Sequence, residues 1–244
     1  MARLTRGLPG RWSDRVGPVR QQALSVSLAT GAYGLSLGAL AVAAGLDFWQ
    51  TMVLSVLVFS GGSQFAFVGV IGAGGTPLAA VGTSALLGVR NGFYGVALAP
   101  ILRPMRGWRF AWAAQVTIDE STAVALAQPE TDDARRRVGF WWAGVGVFVA
   151  WNVLVGVGAI AGAYLGEPEA WGLDAAAAAA FLGLVWPRLA ARKAQAVAAA
   201  AAVLALALTP VLPAGLPILA AAIIAIAAGW RDPTERPVPT EVQP

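Results

Sequence analysis

The chain contains neither cysteine nor histidine. Without cysteine there is no disulfide, no thiolate nucleophile and no Cys-ligated metal. Without histidine there is no Ser-His dyad, no imidazole ligand and no side chain that ordinarily moves protons near neutral pH. Any proton chemistry falls to Asp or Glu, and no metal or cofactor site is expected. Charge is scarce too, at 12% of 244 residues, against roughly 25% in soluble domains. What is abundant is apolar: 57% of the residues are hydrophobic and the mean hydropathy is +0.66. Apolar runs of about 20 residues recur along the chain, so the fold class is an all-α, polytopic integral membrane protein. The net charge of +4 does not indicate nucleic acid. The arginines sit in termini and short connections, where the positive-inside rule places them.

Residues 1–21 form a basic leader broken by Pro and Gly, with no evident cleavage site, expected in the cytoplasm. Residues 22–230 form the transmembrane domain, and the Pro-rich polar tail 231–244 is expected to be disordered. The hydrophobic pattern predicts eight spans: Gln22–Gly45, Gln50–Ile71, Leu78–Leu102, Phe110–Ala127, Val138–Leu165, Asp174–Trp186, Ala194–Leu208 and Ile218–Trp230. Gly34 and Gly38 make a GxxxG face where another helix can approach closely. Asp47 followed by Gln50 fits a capping box, and Trp49 fits an interfacial anchor. From a cytoplasmic leader, eight spans put Arg135 to Arg137, Arg188 to Lys193 and Arg231 inside, and the acidic loop at Glu167 outside. Arg103 to Arg109 then falls outside, against the rule. Seven spans result instead if one early segment is re-entrant. Gly45-Leu46-Asp47 recurs as Gly172-Leu173-Asp174. That recurrence suggests two parallel four-helix halves, a symmetry common in secondary transporters.

Of the 17 basic and 13 acidic side chains, only Arg90, Asp119 and Glu120 lie deep in predicted spans. A charge at the bilayer centre costs about 2.5–3.5 kcal/mol on translocon scales, so these three need partners. Arg90 and Asp119 stand almost equally far in sequence from Pro104, each roughly 20 Å along a helix at about 1.5 Å per residue. Arg90 can therefore face Asp119 or Glu120 across a hairpin. Either the pair is structural, or one carboxylate holds Arg90 while its neighbour carries a proton during transport.

The second span carries Gly61-Gly62-Ser63-Gln64, with a further glycine break from Gly72 to Pro77. One reading is tight helix packing, with Ser63 and Gln64 bonding between helices. The other is an unwound segment that binds a small zwitterion through free amides, carbonyls and the Gln64 side chain. Asn152, after Trp151, either lines the same cavity or makes an interhelical hydrogen bond.

FSGGSQFAFVGVIGAGG, LLGVRNGFYGVALAP and IDESTAVAL, in that order, resemble the AzlC-type large subunit of branched-chain amino acid exporters. WNVLVGVGAIAGAYLG and GLDAAAAAAFLGLVWP resemble its second half, so the likeness runs from about residue 25 to residue 230. It implies an inner-membrane permease exporting valine, leucine, isoleucine or other hydrophobic amino acids. It also implies proton-driven export and a separately encoded, small four-span AzlD-type subunit. One position departs: the family pattern has His after the arginine, and here it is Asn91. From the residues alone, a channel or a carrier for another small polar solute is the alternative. A membrane enzyme is disfavoured, because Ser63 has no ordinary activating base.

Overall fold

In the computed structural model, residues 12–102, 105–165, 182 and 185–230 are described, and among these every regular element is helical. The helices are α1 (Trp12–Ala43), α2 (Phe48–Leu57), α3 (Gly61–Gly72), α4 (Pro77–Leu102) and α5 (Trp108–Gln115). They continue with α6 (Asp119–Leu126), α7 (Asp133–Leu165), α8 (Arg192–Leu208) and α9 (Leu216–Trp230), and a 3-10 turn covers Trp186–Ala190. Three stretches are long and apolar enough to cross a membrane: Val16–Ala43, Pro77–Leu102 and Asp133–Tyr164. Most of the expected sixth span, the Gly172 triplet and the tail lie outside the described residues.

The most extensively packed pair is α1 with α7. Their contacts climb together: Gly31 meets Ala150, Gly34 meets Trp151 and Val155, Gly38 meets Val155 and Ala159, and Gly162 meets Ala39. The two helices therefore run parallel. A side chain on Gly38 would overlap the Val155 carbonyl, and one on Gly158 would overlap the Leu35 carbonyl. The expected glycine face is thus the seam of the bundle, matched on α7 by a second GxxxG at Gly158 and Gly162. Contact this close gains dispersion that lipid tails cannot match.

The predicted second span is two helices, not one. Asp47 opens α2 with the expected capping box: Gln50 N–H donates to Asp47 Oδ1 at 2.8 Å, and Asp47 N–H donates to Gln50 Oε1 at 2.9 Å. Helix α2 runs against α7, from Phe48 and Met52 beside Gly156 to Phe59, just past its end, which meets Phe148 edge-to-face at 4.9 Å. The chain then reverses. Helix α3 climbs with α1, from Gly61 beside Trp151, through Val68 in a cluster with Leu37 and Ala41, to Gly72 against Ala44. Both ends of this hairpin lie at the C-terminal end of α1. Helices of 10 and 12 residues reach only about 15–18 Å at 1.5 Å per residue, half of the roughly 30 Å hydrocarbon core.

The predicted fourth span doubles back in the same way, from the other end. Helix α4 descends to Ile101, whose carbonyl accepts a 2.7 Å hydrogen bond from Arg137 Nε at the start of α7. Helix α5 rises from there, setting Trp112 edge-to-face against Phe148 at 5.0 Å. Helix α6 then returns antiparallel to α1, from Glu120 beside Thr30 to Gln128 beside Gln22. Hairpin α2–α3 followed by α4 and hairpin α5–α6 followed by α7 are therefore two copies of one unit in opposite orientation. Such inverted repeats, with broken helices meeting at mid-depth, are a recurrent plan of secondary transporters. The described residues display this inverted arrangement; the second of the two expected parallel four-helix halves runs through residues outside them.

Doubling back also moves the connection that offended the charge rule. Arg106, between α4 and α5, and Arg109, in the first turn of α5, lie at the same end as Arg135 to Arg137 and the N-terminal end of α1. Helix α1 begins at Trp12, inside the stretch expected as leader, and Arg20 rests over the Trp142 ring at 5.0 Å. Helix α9 starts at the α3–α4 turn, with Gly215 beside Val70 and Ala79, and runs along α4 with Leu219 near Gly82.

Candidate functional site

Both hairpins turn at their breaks, and each break is held by a polar side chain. In the first, Gln64 Nε2 donates to the Ser55 carbonyl at 3.0 Å and the Val58 carbonyl at 2.8 Å, while Gln64 Oε1 accepts from Trp151 Nε1 at 2.8 Å. In the second, Ser121 Oγ donates to the Val116 carbonyl at 2.7 Å and accepts from Ile118 N–H at 3.1 Å. These bonds satisfy backbone groups that a broken helix leaves open at membrane depth.

The unwound residues are Val58 to Ser60, not Gly61 to Gln64, which form the first turn of α3. Its first backbone bond runs from Gln64 N–H to the Ser60 carbonyl. The amides of Gly61, Gly62 and Ser63 precede it and have no carbonyl behind them in the helix. Likewise Asp119 and Glu120 are not mid-helix residues. They stand in the first turn of α6, where the first bond runs from Thr122 N–H to the Ile118 carbonyl.

The two helix starts face one cavity of about 280 Å³. Ser60, Gly61 and Gly62 form one wall and Ile118, Asp119 and Glu120 another, with Arg90 from α4 and Thr30 and Tyr33 from α1. Phe59, Phe65, Val147 and Trp151 complete an apolar side. Arg90 Nη2 lies 2.8 Å from Asp119 Oδ2, and Tyr94 Oη donates to Asp119 Oδ1 at 2.6 Å. Asp119 is thereby clamped from two sides. Glu120, its neighbour, bonds away from Arg90, accepting a long hydrogen bond of 3.4 Å from Thr30 Oγ1. Arg90 Nε has no hydrogen-bond partner among the described residues, so the guanidinium keeps donors to spare.

Of the residues singled out from sequence, the structure brings Gly61, Gly62, Arg90, Asp119 and Glu120 to this cavity. It places Ser63, Gln64 and Asn152 off its wall. Gln64 is fully buried with its amide committed to the break and to Trp151. Its NH2 donors are both used, which leaves no free donor for a ligand. Asn152 Nδ2 bonds the Phe148 carbonyl of its own helix at 2.8 Å. Sequence reasoning missed Thr30, Tyr33, Tyr94 and Ser121. Ser121 carried a readable signal, as a hydroxyl three residues after a β-branched residue that precedes an acidic first turn. No local pattern marked the others. Among the described residues no His/Cys/Asp/Glu cluster could hold a metal ion.

The site can present positive charge and free amides to a carboxylate, a carboxylate to an ammonium, and an apolar wall to a side chain. The family model described as AzlC protein matches residues 25–165, the segment from within α1 to the end of α7 that contains both hairpins. The match stops short of GLDAAAAAAFLGLVWP, which carried the later part of the resemblance. Neither a curated protein nor a solved structure matches the chain.

Proposed function

The chain belongs to the AzlC family, and on that premise we propose that it is the large subunit of a two-component permease exporting branched-chain amino acids. Membership of the family supports a role in membrane transport. The observation that carries the finer reading is the cavity where both broken helices meet. In the proposal, the substrate carboxylate takes the free amides of Gly61 and Gly62 with a spare donor of Arg90. Charge-assisted bonds of this kind are roughly twice as strong as neutral ones. Glu120 takes the ammonium, and Phe59, Phe65, Val147 and Trp151 take a branched aliphatic side chain. Proton coupling is assigned to Glu120, because Asp119 is held by Arg90 and Tyr94.

In the proposal the arginine-bearing end of the bundle is cytoplasmic in the inner membrane, and a small four-span AzlD-type subunit completes the permease. Preloaded cells expressing the chain with that subunit are expected to release labelled leucine, valine and isoleucine with saturable kinetics, accelerated by an inward proton gradient. Efflux that does not saturate would favour a channel. Absence of efflux for all three, with both subunits in the membrane, overturns the proposal.

A further inference from the structure

A second, more open chamber, of about 660 Å³ and edged by the exposed Leu57 and Val81, lies beside the α3 start. It shares Phe59 and Ser60 with the first cavity, and it is otherwise lined by different residues. Arg90 and Asn91 are consecutive on α4, about 100° apart around the helix; Arg90 lines the first cavity and Asn91 the second. Ser63, Ser84 and Gln115 add polar groups, among apolar residues such as Leu54 and Phe67.

This chamber has unmet hydrogen-bonding capacity. Ser63 is 1% exposed and Ser60 6%, and the hydroxyls of both, with Asn91 Oδ1, have no hydrogen-bond partner among the described residues. Ser63 Oγ points at α4, where a side-chain carbon added at Gly88 would sit 3.4 Å from it. A buried unpaired polar group costs about 1–3 kcal/mol, so three around one space mark a place that receives a polar guest. The lining carries no formal charge. Its hydroxyls and amides can bond either end of a zwitterion, but only through neutral bonds, about half as strong as those in the first cavity.

We propose that this chamber is a second, weaker station for the same amino acid substrate, reached by passing Ser60, where the substrate's polar end exchanges Arg90, Gly61 and Gly62 for Ser63 and Asn91. This rests on the substrate reading given above.

The absence of cysteine allows a direct test on the full chain in membranes. Tyr33→Cys reports the first cavity and Ala85→Cys the second, each labelled with a maleimide in the presence of a panel of neutral L-amino acids. Protection of both is expected, with half-protection of Ala85→Cys at a several-fold higher concentration. Adding Ser63→Ala and Asn91→Leu together should abolish protection at Ala85→Cys and leave that at Tyr33→Cys. Protection of Tyr33→Cys alone overturns the second station and leaves the first cavity standing. Protection at neither position overturns both. If Ala85→Cys stays unlabelled without any amino acid, another helix covers the chamber, and the second station is overturned.

Discussion

Replacing Gln64 separates a clamp from a ligand. Gln64→Leu keeps the approximate volume of a buried side chain but removes three hydrogen bonds, two to carbonyls freed at the α2–α3 break and one from Trp151. Polar contacts between membrane helices average about 0.6 kcal/mol, with individual cases near 1.7; hydrogen bonds in general contribute roughly 1 kcal/mol each. Three together give a loss of about 2–3 kcal/mol. Trp151→Phe removes only one of them and should cost about 1 kcal/mol of hydrogen bonding. The double variant should cost less than the sum, since the pair shares a bond. Gln64→Glu sharpens the contrast. A Gln64 that held a substrate ammonium would be improved by a negative charge. A clamp would be damaged more than by leucine, because a carboxylate has no donor for Ser55 and Val58 and would face their carbonyl oxygens. The assay is denaturant unfolding of the purified chain in detergent, alongside substrate efflux. Gln64→Leu as stable as the parent, or Gln64→Glu exporting faster than it, would refute the clamp.

The charge-reversed pair Arg90→Asp with Asp119→Arg should restore folding relative to either single change but not proton-dependent export; full recovery of export would make the pair purely structural. Glu120→Gln should flatten the pH dependence of export while Asp119→Asn mainly destabilises, and an unchanged pH profile in both would remove the carboxylates from coupling. Gly158→Ala should prevent stable assembly of α1 against α7, because its methyl meets the Leu35 backbone, whereas Gly95→Ala, with nothing within 4 Å, should be neutral; size-exclusion profiles in detergent compare the two. Single cysteines at Leu46 and Ala73 should react with an impermeant maleimide from one side of the membrane, and those at Arg106 and Glu130 from the other. Two straight spans would instead split each pair.

Several features depended only on local chemistry, and the sequence by itself determined them. Composition excluded a soluble fold and thiol or imidazole chemistry. Asp47 and Gln50 made their capping box because both partners lie within one turn. Gly34 and Gly38 announced a close helix contact because small residues one turn apart leave a groove whatever fills it. Three deep charges had to converge because none is tolerable alone in hydrocarbon. The motifs around Gly61, Arg90 and Asp119 were enough to identify the family.

Tertiary structure decided the rest. A hydropathy window responds to apolar content and not to direction, so a run of about 20 residues looks the same whether it crosses or folds in half. Gln50–Ile71 and Phe110–Ala127 fold in half because Gln64, Trp151 and Ser121 satisfy the carbonyls and amides exposed at each turn. Trp151 belongs to α7, and no local pattern pairs it with Gln64. The same long-range contact turns the Gln64 side chain away from the cavity. It leaves the first-turn amides of α3 to face Arg90, Asp119 and Glu120 across it.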